Sequence, residues 1–222
     1  MLVNFEQALA CIKEVMERHV LKHGEAPPFI VAVGGTALAA HGIRPLSKDV
    51  DYYSPDIDED VVHQVEQEMK SVYGRDFKID ATPGENIWGP IIFRDIAESG
   101  EKTVLSIREF NIPVRVLSVE DLVMVKLVAG RTKDRLDLPL LAERVEPEAL
   151  VARFNVVSRW HGDRAAAMSF ADAFVDFLVE YKEMNARECI DRLSLPDYVK
   201  EMLVEARCLT DEDQDNVSGL ST

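Results

Sequence analysis

Residues 3–22 place apolar side chains at Phe5, Leu9, Ile12, Val15, Met16 and Val20, the spacing of one stripe on a helix. The prolines of HGEAPP stop that helix. FIVAVGG follows, a short β-branched run that predicts a buried strand entering a tight turn at Gly34 and Gly35. TALAAHG predicts a short helix closed by Gly42, IRPLSK a loop, and DVDYYS a strand of alternating character. DIDEDVVHQVEQEMKSVYG reads as an acid-fronted helix with Val61, Val62, Val65, Met69 and Val72 on its buried side. Acids at its start suit the positive end of the helix dipole. FKIDATPG predicts a strand and a turn. GPIIFRDI, KTVLSIREF and IPVRVLS predict further strands.

Ser118 then caps a helix over VEDLVMVKLVAGR, with Asp121 where a capping box carries Glu or Gln. Helical spacing fills 146–160, 164–183, 185–193 and 196–209, with Pro196 near the start of the last. TDEDQDNVSGLST is polar and acidic and is expected to be disordered. The layout is a mixed α/β half over 1–117, a helical region over 118–209 and an acidic tail over 210–222. The expected fold class is α/β (α+β): a small mixed sheet with helices packed on it, followed by a helical C-terminal region.

Composition narrows the function classes. Apolar residues make up 47% and charged residues 29%, which excludes collagen-like, mucin-like or wholly disordered chains. No apolar run approaches the roughly 18–20 residues that a membrane helix needs, and the N-terminus has no basic-then-apolar signal layout. The reading is a cytoplasmic protein with no membrane partner. The balance is 25 basic against 40 acidic residues, a net of −15, which disfavours sequence-blind nucleic-acid binding. Residues 171–222 hold 5 basic and 13 acidic side chains, so the helical part carries −8 of that charge. Cys11, Cys189 and Cys208 are far apart with no C-x-x-C, which argues against a disulfide framework and a zinc site.

The segment VAVGGTALAAHGIRPLSKDVDYYS concentrates the candidate chemistry. Gly34 and Gly35 let backbone approach a phosphate, and Thr36 opens a helix whose N-terminus favours an anion. Asp49 and Asp51, two apart on a strand, project from one face. Two carboxylates on one face offer hard oxygen ligands to Mg²⁺, a cation that also binds substrate phosphates. A two-metal arrangement of this kind activates an attacking oxygen and steadies a leaving pyrophosphate.

This segment resembles the signature of the DNA polymerase β-like nucleotidyltransferases, in which Gly-Gly or Gly-Ser precedes Asp-hydrophobic-Asp by about a dozen residues. More narrowly it is similar to the small prokaryotic branch of AbiEii toxin-like proteins. Ser47-Lys48-Asp49-Val50-Asp51 fits that branch's [Ser/Thr]-x-Asp-x-Asp approach, and Arg44 resembles its preceding arginine. The resemblance spans roughly residues 29–142. It implies transfer of a nucleoside monophosphate from an NTP to an acceptor hydroxyl, with pyrophosphate leaving. The acceptor is left open: an RNA 3′ end, a protein or a small molecule. The resemblance also implies a third carboxylate on a later strand, for which Asp80 in FKIDATPG is the choice and Asp95 in IIFRDI the runner-up. Asp49, Asp51 and Asp80 would then hold Mg²⁺, Asp80 would help deprotonate the acceptor, and Gly34, Gly35, Thr36, Arg44, Ser47 and Lys48 would bind the nucleotide.

LSVEDLVMVKLVAGRTKDRLDLPLL resembles the segment that these proteins carry after the catalytic domain: an apolar helix with a lysine, then Arg-x-Lys-Asp-x-x-Asp. Two readings stand. A continuous helix would align Lys126, Lys133 and Asp137, letting Lys126 or Lys133 reach the triphosphate. Alternatively, the lysines and Arg131 form a structural ion-pair set with Asp134 and Asp137. His41, His63 and His161 have no metal-ligand spacing and read as structural or surface residues, and Trp88 as packing under a loop. The resemblance also suggests a toxin–antitoxin component, whose acidic helices would suit a basic protein partner. The rival readings are an inactive antitoxin-like or scaffold protein, and a nucleotide-binding sensor, on the same fold.

Overall fold

The computed structural model of the chain describes residues 2–83, 101–157 and 164–218. The chain divides into two compact units, Met1–Leu122 and Val123–Thr222. The boundary falls inside a helix, five residues beyond the expected one at 117. The start of that helix belongs with the sheet: Leu117 donates its N–H to Ala32 O at 3.0 Å, and Leu122 is fully buried.

In the first unit, α1 (Phe5–His23) is followed by β1 (Ile30–Ala32), α2 (Gly34–Ala40), β2 (Asp49–Ser54), α3 (Glu59–Tyr73), β3 (Lys78–Pro83), β4 (Glu101–Ile107) and β5 (Phe110–Val116). The strands form one mixed sheet in the order β3-β2-β1-β5-β4. β1 runs antiparallel to β2 and parallel to β5. β2 and β3 are parallel, and β4 and β5 are antiparallel. The mixed sheet and the helical C-terminal region match the expected fold class.

One face of the sheet makes the core. Ile30, Val50, Tyr52, Ile79, Ile112 and Val114 meet Ile12, Val15 and Met16 of α1 and Val61, Val62 and Val65 of α3. Side chains alternate along a strand, so the residues between them face the other way. α1 is held at its start by a reciprocal cap, with Gln7 N–H donating to Asn4 Oδ1 at 2.9 Å and Asn4 N–H to Gln7 Oε1 at 3.0 Å. Val72 departs from expectation and is 61% exposed. Tyr73 takes the inward place at the end of α3, stacked on Phe77 at 4.9 Å.

α4 (Val119–Ala129) begins as expected: Ser118 Oγ accepts from Asp121 N–H at 3.1 Å and donates to Asp121 Oδ2 at 2.9 Å. The second unit continues with α5 (Thr132–Arg135), α6 (Leu138–Ala142), α7 (Pro147–Val157), α8 (Arg164–Lys182), α9 (Ala186–Arg192) and α10 (Asp197–Ser218). Its core includes Phe154, which stacks on Phe174 at 4.4 Å and meets Phe170 at 4.9 Å. α10 runs to Ser218, past the expected end of the helical region at 209, with no glycine or proline to interrupt it before Gly219. Cys11 and Cys189 are free and buried. Among the described residues no helix is long and apolar enough to cross a membrane.

Candidate active site

The site grows from the turn between β1 and α2. Gly34 has φ +49°, a left-handed backbone that suits glycine. A Cβ there would come within 2.9 Å of Asp51 Cγ and Oδ2. A Cβ on Gly35 would overlap Ser47 Oγ and stand 3.0 Å from both Asp51 Oδ2 and Arg44 Nη2. Two residues without side chains are therefore what lets Asp51, Ser47 and Arg44 converge on this turn.

Hydrogen bonds then fasten β2 to the turn. Val33 N–H donates to Asp51 O at 3.2 Å, Gly35 N–H to Asp51 Oδ2 at 2.7 Å, and Asp51 N–H to Thr36 Oγ1 at 2.8 Å. Thr36 is fully buried, so its hydroxyl orders the strand from beneath the turn. Ser47 is held by reciprocal backbone bonds to Val3 at 2.7 and 2.8 Å, and its Oγ accepts from Asp49 N–H at 3.3 Å. Arg44 is half-buried, and its N–H, like that of Ile43, bonds Leu38 O after the left-handed Gly42. Lys48 is exposed.

Asp49 and Asp51 are half-buried and alternate with the buried Val50 and Tyr52. They project from the face opposite the α1–α3 core. In the β2–β3 register Asp51 stands opposite Asp80, and Asp49 opposite Lys78. Paired residues of neighbouring strands share a face. Asp49, Asp51 and Asp80 therefore lie on one face of the sheet, with Asp80 exposed. Lys78 is a cation on this face that the sequence reading passed over. Its signal was the period of two in FKIDATPG, which puts Lys78 and Asp80 on the same side. Among the described residues, no three His, Cys, Asp or Glu side chains gather closely enough to hold a metal ion.

The second motif segment is arranged differently. α4 ends at Ala129, Gly130 turns left-handed at φ +58°, and α5 starts anew at Thr132. The continuous helix that would align Lys126, Lys133 and Asp137 does not form. Lys126 is 6% exposed, and its ammonium donates to Asp137 Oδ2 at 2.7 Å and Asp134 Oδ1 at 3.1 Å. Arg131 Nε donates to Asp134 Oδ2 at 2.6 Å. Burial pushes the Asp134 carboxyl upward, and Arg131 and Lys126 more than offset it, holding the group below its usual range. Lys133 is exposed.

His41 Nε2 lies 2.8 Å from Leu117 O and ties the end of α2 to the residue that follows β5, and His63 is on the exposed side of α3. Asp95, Trp88 and His161 lie outside the described residues. Comparison with family models, with curated proteins and with solved structures finds no match to this chain.

Proposed function

We propose that the chain is a metal-dependent nucleotidyltransferase of the polymerase β-like kind, moving a nucleoside monophosphate from an NTP to an acceptor hydroxyl. The observation that carries this reading is the β2–β3 register. It sets Asp80 opposite Asp51, with Asp49 two residues earlier on the same face, directly behind the strand–Gly-Gly–helix turn. Two half-buried carboxylates supply hard oxygen donors of the type that Mg²⁺ prefers, so the donor set suits that ion in kind. Bound there by Asp49 and Asp51, with Asp80 as third carboxylate, Mg²⁺ would supply charge neutralisation for the triphosphate and a lower pKa for the attacking hydroxyl.

The residues of the first unit divide the remaining work. Asp80, exposed at the strand edge, accepts the proton of the acceptor hydroxyl. The acceptor oxygen bonds to the α-phosphorus, the bond from that phosphorus to the bridging oxygen breaks, and pyrophosphate leaves with the electron pair. Arg44, Lys48 and Lys78 provide positive charge for the phosphates. Thr36 and Ser47 hold β2 in place, and Gly34 and Gly35 give the room that Asp51 needs. Lys126 is left out of this set because its ammonium is committed to two aspartates. The resemblance to AbiEii toxin-like proteins extends the proposal to a toxin–antitoxin component, with a basic protein as the partner of the acidic helical part.

A second reading, nucleotide binding without turnover, has its own observation: the Gly35 amide is spent on Asp51, and no three carboxylates gather among the described residues. Titration of the full chain with each Mg·NTP, followed by incubation of α-labelled NTPs with cell extract, separates the two. Transfer predicts Mg²⁺-dependent binding, release of pyrophosphate and a labelled acceptor, all lost in Asp49→Asn. Binding without pyrophosphate release favours a sensor. No binding, or equal activity in Asp49→Asn, rejects the site.

A further inference from the structure

The second unit holds a cavity of about 320 Å³ between α8 and the chain that runs from the end of α4 to the start of α6. Small-molecule sites span about 300–1,000 Å³, so this one suits a compact ligand. Its bottom is apolar: Phe177 is 2% and Leu138 8% exposed, and Leu127 is half-buried. Tyr181 follows Phe177 by four residues on the same face of α8, and the two ring centroids stand 5.2 Å apart.

The charges of the lining fall into two groups. One group is already used within the chain: Lys126 is committed to Asp134 and Asp137, Arg131 Nε holds Asp134, and Asp176 takes Arg207 Nη2 at 2.7 Å. The other group is Arg135 and Glu180. Both are exposed, Arg135 at the end of α5 and Glu180 on α8, so they stand on different walls. Among the described residues no ion pair joins them. Both act on the Tyr181 phenol. Burial pushes its pKa up, the hydrogen bond with Glu180 pushes it further, and Arg135 pulls it down. The phenol is therefore protonated at neutral pH and donates to Glu180. A cation and an anion that converge on one phenol without meeting each other leave opposite charges on the two sides of an apolar recess.

We propose that this cavity binds a free α-amino acid with an aromatic side chain. The ring lies against Phe177, Leu127 and Leu138, the carboxylate meets the Arg135 guanidinium, and the ammonium meets Glu180. A free amino acid carries both charges on one carbon beside its apolar group, which is the pattern of this lining. A peptide terminus offers only one of the two charges. The proposal stands on the second unit alone and does not depend on the transfer reaction.

The test is calorimetric titration of the full chain with L-phenylalanine, and with phenylethylamine and hydrocinnamate, each of which lacks one of its charges. L-phenylalanine is expected to bind about tenfold or more tightly than either. Arg135→Gln is expected to abolish the preference over phenylethylamine and to keep the preference over hydrocinnamate; Glu180→Gln is expected to do the reverse. Both positions are exposed, and thermal unfolding checks that each variant is folded. The absence of saturable L-phenylalanine binding by the unmodified chain would overturn the proposal. So would equal affinity for the three compounds, the mark of an apolar crevice that recognises no charge, or preferences that both variants leave unchanged.

Discussion

The turn before β2 and the segment after α4 hold the same kinds of residues, and they use them in opposite ways. At the turn, Asp49 and Asp51 stay half-buried, and Asp51 Oδ2 accepts from the Gly35 amide, with Arg44 Nη2 beside the same glycine. After α4, Asp134 and Asp137 are buried against Lys126 and Arg131. There the charges neutralise one another, and little is left for anything outside. Motif spacing made both segments look like parts of one site. Their burial differs: one keeps its aspartates half-buried on a sheet face, and the other closes them in against cations.

The sharpest way to break this comparison is to remove the buried lysine. Lys126→Met leaves Asp137 and one oxygen of Asp134 buried without their cation. Breaking one side of a buried pair costs about 3–5 kcal/mol, because the remaining charge stays out of water. Urea unfolding should show a loss of that size. Lys126→Met/Asp137→Leu should recover a good part of it. If Lys126→Met is as stable as the unmodified chain while nucleotide binding falls, the lysine presents its charge after all.

How much of this was legible follows from what each pattern encodes. β2 is read to its ends because Val50 and Tyr52 alternate with Asp49 and Asp51 against a buried face, and that alternation is local. Gly34 and Gly35 are read as a turn, but their actual requirement is a contact with Asp51, sixteen or more residues away. That contact exists only once β2 pairs with β1. The choice of Asp80 over Asp95 turned on an alternating strand, and the register then set it beside Asp51. Lys126 stayed ambiguous because spacings of seven and four have meaning only on an unbroken helix, and Gly130 breaks it. His19 and His23 were passed over because histidines four apart on one helix show no partner in the sequence, and His23 meets Asp58 only when the β2–α3 loop folds against it.

A mid-sized effect is expected at the turn itself. Gly35→Ala puts a methyl group into Ser47 Oγ and close to Asp51 Oδ2. Forced overpacking of this kind costs about 1–3 kcal/mol. The strand can relieve it only by moving Asp51 away. Thermal unfolding should record the loss of stability, and Mg·NTP affinity should fall on the order of tenfold. Ala at Gly42, where a Cβ meets nothing within 4 Å, is the matched control: it carries the strain of a left-handed backbone and leaves Asp51 untouched. Equal loss of nucleotide affinity in both variants would mean that the approach of Asp51 to Gly35 is irrelevant to binding.

The smallest effect concerns a buried group that has neither an ion pair nor a backbone amide. His19 takes up a proton less readily when folded, chiefly because it is buried and then because His23 is beside it; Asp58, Asp56 and Glu25 pull the other way. The unfolded chain therefore binds this proton first. The stability that His19 contributes is complete above its unfolded pKa of about 6.5, and falls as pH drops from there toward the lower folded value. Asp58 is displaced in the acid direction, held low by Lys22 and His23, so its contribution is lost only below about pH 4. The two windows are separate. Urea midpoints measured from pH 8 to pH 5 should decline below pH 6.5 in the unmodified chain and stay flatter in His19→Gln. Parallel declines in the two proteins would show that burial of this ring costs nothing to protonate, and that only the ion-paired groups give the fold its pH dependence.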